Sequence, residues 1–327
     1  MSQGLKARLP EIWLSKGWAS SSLLPLSWAY SVLVRARRSL YQWGWLKTEK
    51  VNATVIVVGN VVAGGGGKTP LTMAIVEHLQ QQGMAVGVIS RGYGRNSHDV
   101  REVSPDADPM DVGDEPLMMR RKLQVPVFVA KQRVTAARAL LKAYPSTRVV
   151  VCDDGLQHYA LGRDIEICAL DARGTGNGRL LPAGPLREPW PRKVDFLVHT
   201  SERTCAEGFA SSRSLSDQAM DRRGRTVDLQ TLQVHSVNAV AGIAKPQAFF
   251  DMLLAKGLKV QQTWALPDHD SFADWAAPTT DIPLLCTEKD ATKLWSKMPQ
   301  ALAVPLKFQP EAAFWTALDE RLTAQFH

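Results

Sequence analysis

The sequence predicts an α/β protein built on a mostly parallel sheet, and three observations carry that prediction. Thr54–Val58 reads T-V-I-V-V, a short β-branched apolar run of the kind buried on both faces of a parallel sheet. A helix-period segment follows, with Met73, Ile75, Val76 and Leu79 on its apolar positions and Gly83 near its end. Two further runs, Val86–Ser90 and Arg148–Cys152, repeat the strand pattern, and each leads into a polar or glycine-rich loop.

The chain has 327 residues, enough for two domains at roughly 100–200 residues each. With 45% apolar and 22% charged residues it is neither disordered, collagen-like nor polytopic in a membrane. Its four cysteines, Cys152, Cys168, Cys205 and Cys286, form no C-x-x-C pair. That argues against a disulfide scaffold or a cysteine-based zinc module and for a reducing compartment.

Residues 1–50 hold eight Lys/Arg against two acids, so +6 of the +7 net charge lies there and the body is close to neutral. Five of the ten tryptophans, Trp13, Trp18, Trp28, Trp43 and Trp45, share that stretch. The apolar run near Leu23–Val34 is too short for a spanning helix, which needs about twenty residues. No small-residue cleavage site separates it from the Arg35–Arg38 cluster, so a secretory signal fits poorly. An amphipathic interfacial helix fits better, since aromatic rings favour the headgroup level and basic residues favour anionic lipid. A helix packed on the protein's own core is the competing reading. Nucleic acid is disfavoured because the charge does not continue into the body.

After the first strand the chain reads Gly59-Asn60-Val61-Val62-Ala63-Gly64-Gly65-Gly66-Gly67-Lys68-Thr69-Pro70. Strand, glycine loop, Gly-Lys-Thr and helix make the context of a P-loop. Backbone N–H groups converge on phosphate there, the lysine reaches the β/γ-phosphates, and the hydroxyl binds Mg²⁺. The usual first glycine is replaced by Val62, and the run Gly64–Gly67 compensates. The second strand leads into Arg91-Gly92-Tyr93-Gly94-Arg95, suited to an anionic ligand. Arg148–Cys152 ends in Asp153-Asp154-Gly155-Leu156-Gln157-His158, a Walker B arrangement in which one acid can reach Mg²⁺. Asp114 and Glu115 sit at a predicted helix start, as catalytic acids or as dipole complements. Gly176–Pro189 is a long Gly/Pro loop whose Arg179 and Arg187 are candidates for a substrate phosphate. His269 lies between Asp268 and Asp270, where a carboxylate can orient it. Ser201–Arg225 reads as a mobile loop.

Together G-N-V-V-A-G-G-G-G-K-T-P, S-R-G-Y-G-R, G-D-E-P, D-D-G-L-Q-H, L-P-A-G-P-L-R-E-P, P-D-H-D-S-F and T-E-K-D, spread from Gly59 to Asp290, resemble the tetraacyldisaccharide 4'-kinases, the lipid A 4'-kinases of Gram-negative bacteria. The resemblance implies a kinase that uses ATP and Mg²⁺ to phosphorylate a tetraacylated glucosamine disaccharide 1-phosphate. It assigns Gly64, Gly65, Gly66, Gly67, Lys68, Thr69 and Pro70 to the nucleotide, and Thr69, Glu115 and Asp153 to the metal, with Asp154 as a supporting acid. It makes Asp114 the general base, paired with His269, and gives Tyr93, Arg95, Arg133, Arg187 and Glu188 to the sugar-phosphate site. A monomer is expected, with no nucleic-acid partner, peripheral on the cytoplasmic face of the inner membrane, where ATP meets an acylated substrate.

The expected architecture is a basic, Trp-rich interface segment at 1–50, a P-loop NTPase-like α/β/α domain at 51–225 and a smaller α/β domain at 226–327. The site is expected between the domains, with closure bringing His269 to Asp114. A guanine-nucleotide switch is disfavoured, because Thr287-Glu288-Lys289-Asp290 has Glu where a guanine-reading motif needs Lys.

Overall fold

The computed structural model describes residues 12–65, 67–200 and 208–326. These fall into two compact units, both discontinuous in sequence. The first comprises the described parts of Met1–Ser90, Gln132–Ser212 and Pro310–His327, and the second comprises Arg91–Lys131 and Arg213–Gln309. The sequence-based division near residue 225 did not anticipate that Arg91–Lys131 packs with the C-terminal half.

The first unit is an α/β layer structure. Its parallel strands run in the spatial order Phe209–Leu215, Phe196–His199, Ile165–Leu170, Thr54–Gly59, Val149–Asp153 and Val86–Ser90. Thr54–Gly59 is central, with Val55–Val58 at 0–2% exposure, which is why its sequence is uniformly apolar. Its register places Val58 opposite Asp153, so the glycine loop and the acid pair leave the same edge of the sheet. The helix Lys68–Gln81 covers one face through the buried Leu71, Ile75, Val76 and Leu79.

Residues 201–207 of the expected Ser201–Arg225 loop lie outside the described residues. The rest corrects that expectation by forming the strands Phe209–Leu215 and Gln218–Met220. The serines mask an alternating pattern, in which Phe209 turns inward against Phe196 and Phe314, at ring distances of 6.0 and 5.6 Å.

The N-terminal helices Trp18–Ser22 and Leu24–Gln42 belong to the first unit and are set on it inside out. Small polar residues face the protein. Ser20 Oγ donates to the Ala183 carbonyl at 2.5 Å, Ser27 Oγ to Leu180 at 2.8 Å and Tyr30 OH to Arg187 at 2.8 Å. The large apolar residues Trp18, Leu26, Trp28, Val32, Leu33, Trp43 and Trp45 are 62–86% exposed. Packing on the protein's own core therefore does not account for the apolar stripe.

The second unit holds a six-stranded sheet in the order Thr226–Asp228, Gln218–Met220, Leu302–Val304, Leu284–Thr287, Ser236–Ala241 and Lys259–Ala265. The last four strands are mutually parallel and the first two antiparallel. The helices Pro246–Ala255 and Glu288–Lys297 make the crossovers. Arg91–Lys131 adds the helix Asp114–Leu123 and a short antiparallel pair of strands.

Candidate active site

In the first unit, Gly67 caps the helix that begins at Lys68, and Asn60 Nδ2 donates to the Gly64 carbonyl at 3.3 Å, bracing the loop. Gly66 lies outside the described residues. Gly64, Gly65, Gly67, Lys68, Thr69 and Pro70 stand together at the end of the central strand and the start of its helix. Arg173 leans on this loop, donating to the Gly65 carbonyl at 3.0 Å while Asp171 holds its Nε.

Asp153 is 1% exposed and accepts from Thr72 Oγ1 at 3.0 Å and Thr69 Oγ1 at 3.5 Å. A hydroxyl and a carboxylate so close are the hard oxygen donors that Mg²⁺ takes, so Thr69 and Asp153 fit that ion. Asp154 sits at φ +49°, which turns its side chain toward Lys68 Nζ at 3.6 Å and Arg187 Nη1 at 3.0 Å. Burial alone would raise its pKa, but Lys68, Arg187 and Arg133 outweigh that and hold the carboxyl below the usual range. Gly155 comes next. A Cβ there would lie 2.5 Å from Cys152 Sγ and 2.9 Å from Val57 Cγ1. Gly155→Ala is therefore expected to destabilise the protein by about 1–3 kcal/mol, read from urea midpoints. An unchanged midpoint would show that this turn yields easily.

Several residues expected to touch substrate are turned inward. Glu188 is 1% exposed and accepts from Gln157 Nε2 at 2.6 Å, Tyr159 OH at 2.8 Å and Arg192 Nη1 at 3.1 Å. A carboxylate so engaged ties the L-P-A-G-P-L-R-E-P loop to the D-D-G-L-Q-H loop. Gln157 Nε2 carries the tie on to the Asn60 carbonyl at 3.0 Å. Arg133 is 2% exposed and donates to the Asp153 and Asp154 carbonyls at 3.4 and 3.3 Å, so it fixes the acid pair from behind. Arg179 is committed to Ser20 Oγ at 2.8 Å and Ser21 Oγ at 3.1 Å, anchoring the N-terminal helices. Arg187 remains partly exposed, bonded to Asp154.

The second unit holds Asp114 and His269 in direct contact. Gly113, at φ +92°, precedes the helix. A Cβ there would lie 3.2 Å from Gly92 backbone atoms and from the Tyr93 carbonyl, so only glycine lets Asp114 come this close to that turn. Asp114 Oδ2 accepts from His269 Nδ1 at 2.9 Å and from Lys293 Nζ at 2.9 Å. Burial pushes this carboxyl upward, but the hydrogen bonds and charges of His269 and Lys293 override it and hold the pKa far below the ordinary carboxylate range. The two residues are already paired, so the expectation that closure must bring them together is not met. Tyr93 is 65% exposed with its ring 5.2 Å from that of His269. Arg95 is 8% exposed and donates to the Asp99 carbonyl at 2.6 Å, buttressing the Gly92 turn rather than reaching outward. Glu115 Oε1 lies 3.6 Å from Lys289 Nζ. Among the described residues no group of three or more His, Cys, Asp and Glu is disposed to hold a metal by itself.

The T-E-K-D segment caps its own helix. Thr287 Oγ1 donates to Asp290 Oδ2 at 2.7 Å, and Asp290 is 3% exposed and accepts the Gly242 N–H at 3.0 Å. This use leaves no part for it in reading a guanine. Sequence reasoning overlooked Lys289, Lys293, Gln157 and Arg173. For the lysines the one available signal was their i, i+4 spacing, with Lys289 inside the T-E-K-D motif; for Gln157 and Arg173 residue type gave none.

Known proteins resemble the chain over most of its length. A family model for tetraacyldisaccharide-1-P 4'-kinase matches residues 19–323. A tetraacyldisaccharide 4'-kinase of Polaromonas naphthalenivorans (strain CJ2) is 52% identical, over 98% of this chain and 96% of that protein. One from Polaromonas sp. (strain JS666 / ATCC BAA-500) is 53% identical, over 95% and 94%. The crystal structure of LpxK from Aquifex aeolicus in complex with ATP matches with a TM-score of 0.81 at 30% identity, covering 93% of this chain and 99% of that one. Matched by that family model over residues 19–323 and by relatives about half identical over nearly its whole length, the protein belongs to the tetraacyldisaccharide-1-P 4'-kinase family.

Proposed function

We propose that the protein transfers the γ-phosphoryl group of ATP to the 4'-hydroxyl of a tetraacylated glucosamine disaccharide 1-phosphate, giving the 1,4'-bisphosphate. The observation that carries a transferase rather than a nucleotide switch is the 2.9 Å Asp114–His269 pair, a proton acceptor with an orienting partner. The first unit supplies the donor machinery. Lys68 leaves Asp154 for the β/γ-phosphates, and the loop N–H groups hold the remaining oxygens. Thr69 and Asp153 would hold Mg²⁺, which when bound would offset charge on the transferring group. Asp154 and Arg187 support this end, and Arg133 and Glu188 keep its loops in register. The second unit supplies the acceptor machinery, with Asp114 taking the hydroxyl proton while His269 orients it. Tyr93 is placed beside the pair to contact the sugar. Mixing the protein with Mg-ATP and the acylated disaccharide tests the reading, and a bisphosphorylated product is the expected result. Nucleotide hydrolysis with no lipid product would favour the switch.

We further propose that the protein works as a peripheral protein on the cytoplasmic face of the inner membrane, where ATP meets an acylated substrate. No helix among the described residues is long and apolar enough to cross a membrane. The outward Trp18, Leu26, Trp28, Val32 and Leu33, with the exposed Arg35 and Arg37, support contact with an anionic lipid surface. Each such apolar side chain is worth about 1.5–3 kcal/mol when buried. Trp28→Ser combined with Val32→Ser and Leu33→Ser is therefore expected to weaken sedimentation with anionic vesicles at least ~10-fold. Full co-sedimentation of the triple variant would remove the anchor.

A further inference from the structure

We infer that three lysines on one face of the helix Glu288–Lys297 form a ladder that positions His269 against Asp114, and that Lys293 is its decisive rung. The inference rests on the kinase reading above and adds to it the residues that build the proton acceptor.

The rungs are Lys289, Lys293 and Lys297, spaced i, i+4 and i+8, so they stack along one side of the helix. Each holds a successive piece of the Asp268–Trp275 segment. Lys289 Nζ donates to Asp268 Oδ1 at 2.8 Å and lies 3.2 Å from His269 Nε2. Lys293 Nζ donates to the His269 carbonyl at 3.1 Å, the Asp270 carbonyl at 3.2 Å and Asp114 Oδ2 at 2.9 Å. Lys297 Nζ donates to the carbonyls of Phe272 at 3.0 Å, Ala273 at 3.0 Å and Trp275 at 2.6 Å.

The segment needs such fastening. It has no regular secondary structure, and both His269 and Phe272 have positive φ, 64° and 60°, conformations that side chains rarely adopt and that persist only when the surroundings impose them. Its carbonyls have no ladder of strand hydrogen bonds to join. An ammonium group supplies three donors and no acceptor. Lys293 spends all three, and a single atom ties the His269 turn to the carboxylate that His269 must meet.

The ladder also fixes which ring nitrogen carries the proton. An ammonium can only donate, so Lys289 at Nε2 requires a lone pair there, which leaves the proton on Nδ1, facing Asp114. Both donors to Asp114, the His269 ring and the Lys293 ammonium, fall on Oδ2. Oδ1 carries no hydrogen bond among the described residues and is the oxygen left for the acceptor hydroxyl. Lys293 touches neither nucleotide nor reacting atoms in this scheme and is a positioning residue.

Steady-state kinetics of Lys293→Met with Mg-ATP and the acylated disaccharide test the inference. The expected result is a fall in kcat of at least ~100-fold with the KM for ATP within about twofold of wild type. His269→Ala, alone and combined with Lys293→Met, completes a cycle. If Lys293 acts through the pair, its replacement adds nothing on the His269→Ala background. An independent readout is the His269 Nδ1 proton by NMR, expected to be shifted downfield in the wild type and lost in Lys293→Met. Retained kcat, additive losses or an unchanged ring signal would each overturn the inference. If Lys293→Met fails to fold, Lys297→Met reads the same device from the neighbouring rung, with kcat lowered and KM for ATP unchanged. An unchanged kcat there overturns the ladder. A wild-type protein that makes no bisphosphorylated product would instead strike at the kinase reading, while the NMR arm would still report on the clamp.

Discussion

Lys68→Met is expected to lower turnover by roughly 10²–10³-fold, the usual cost of removing one preorganised charge donor from a site where negative charge moves. Lys68 is the first residue of the helix Lys68–Gln81, so its ammonium starts at the positive end of a helix dipole and beside the loop N–H groups. Its partner in this structure is Asp154, at 3.6 Å, and Asp154 is also held by Arg187 at 3.0 Å. Releasing the lysine to a phosphate therefore leaves the carboxylate still neutralised, which makes the exchange cheap. Methionine keeps the length and removes the charge. Stability should change little, because the Lys68–Asp154 contact is long and Arg187 and Arg133 remain near that carboxylate. The measurement is single-turnover phosphorylation at saturating Mg-ATP, with a thermal melt as control for folding. Wild-type turnover in Lys68→Met would mean that the glycine loop does not cradle the transferred phosphate.

Much of the donor half was legible in the chain because its chemistry is local. A β-branched run, a glycine loop and Gly-Lys-Thr lie within sixteen residues, and Asp153 is placed beside them by parallel pairing alone, with Val58 opposite Asp153. The acceptor half was not legible from local pattern. Asp114 and His269 are 155 positions apart, and only the family resemblance joined them before their contact was seen. Direction was the other hidden quantity. Arg95, Arg133 and Glu188 have the chemistry of ligand contacts, yet each points into the protein, where it satisfies carbonyls or tyrosine, glutamine and arginine side chains. Residue type does not say which way a side chain on a loop will turn. The N-terminal helix shows the opposite case. Its Trp and Arg content suggested an outward apolar face, and the serines that let the helix seat closely, Ser20 and Ser27, carried no signal of their own.

Asp114→Asn is expected to cost about 10²–10⁴-fold in turnover, the range for losing a positioned proton acceptor, while ATP affinity stays near wild type. Asparagine keeps the shape and can still accept from His269 Nδ1, so the turn around His269 is retained. What disappears is the negative charge. In the native protein burial works against that charge, and the bonds from His269 and Lys293 more than offset burial, so the carboxyl takes up a proton only below the ordinary range. The sign matters for pH. The stabilisation from this ion pair is fully present above the unfolded carboxyl pKa of about 3.9 and is lost as pH falls toward the depressed folded value. The acceptor is therefore ionised throughout the neutral range. Such a weakly basic carboxylate suits phosphoryl transfer to an alcohol, where positioning and charge stabilisation carry most of the catalysis and a kinase aspartate receives the hydroxyl proton. The variant also leaves Lys293 without its carboxylate, though two carbonyls still hold it at 3.1 and 3.2 Å, so some stability should be lost as well. Comparing single-turnover rates with equilibrium binding of an ATP analogue separates the two effects. A variant that binds nucleotide and phosphorylates the disaccharide as fast as wild type would take the base role away from Asp114 and pass it to the ring of His269.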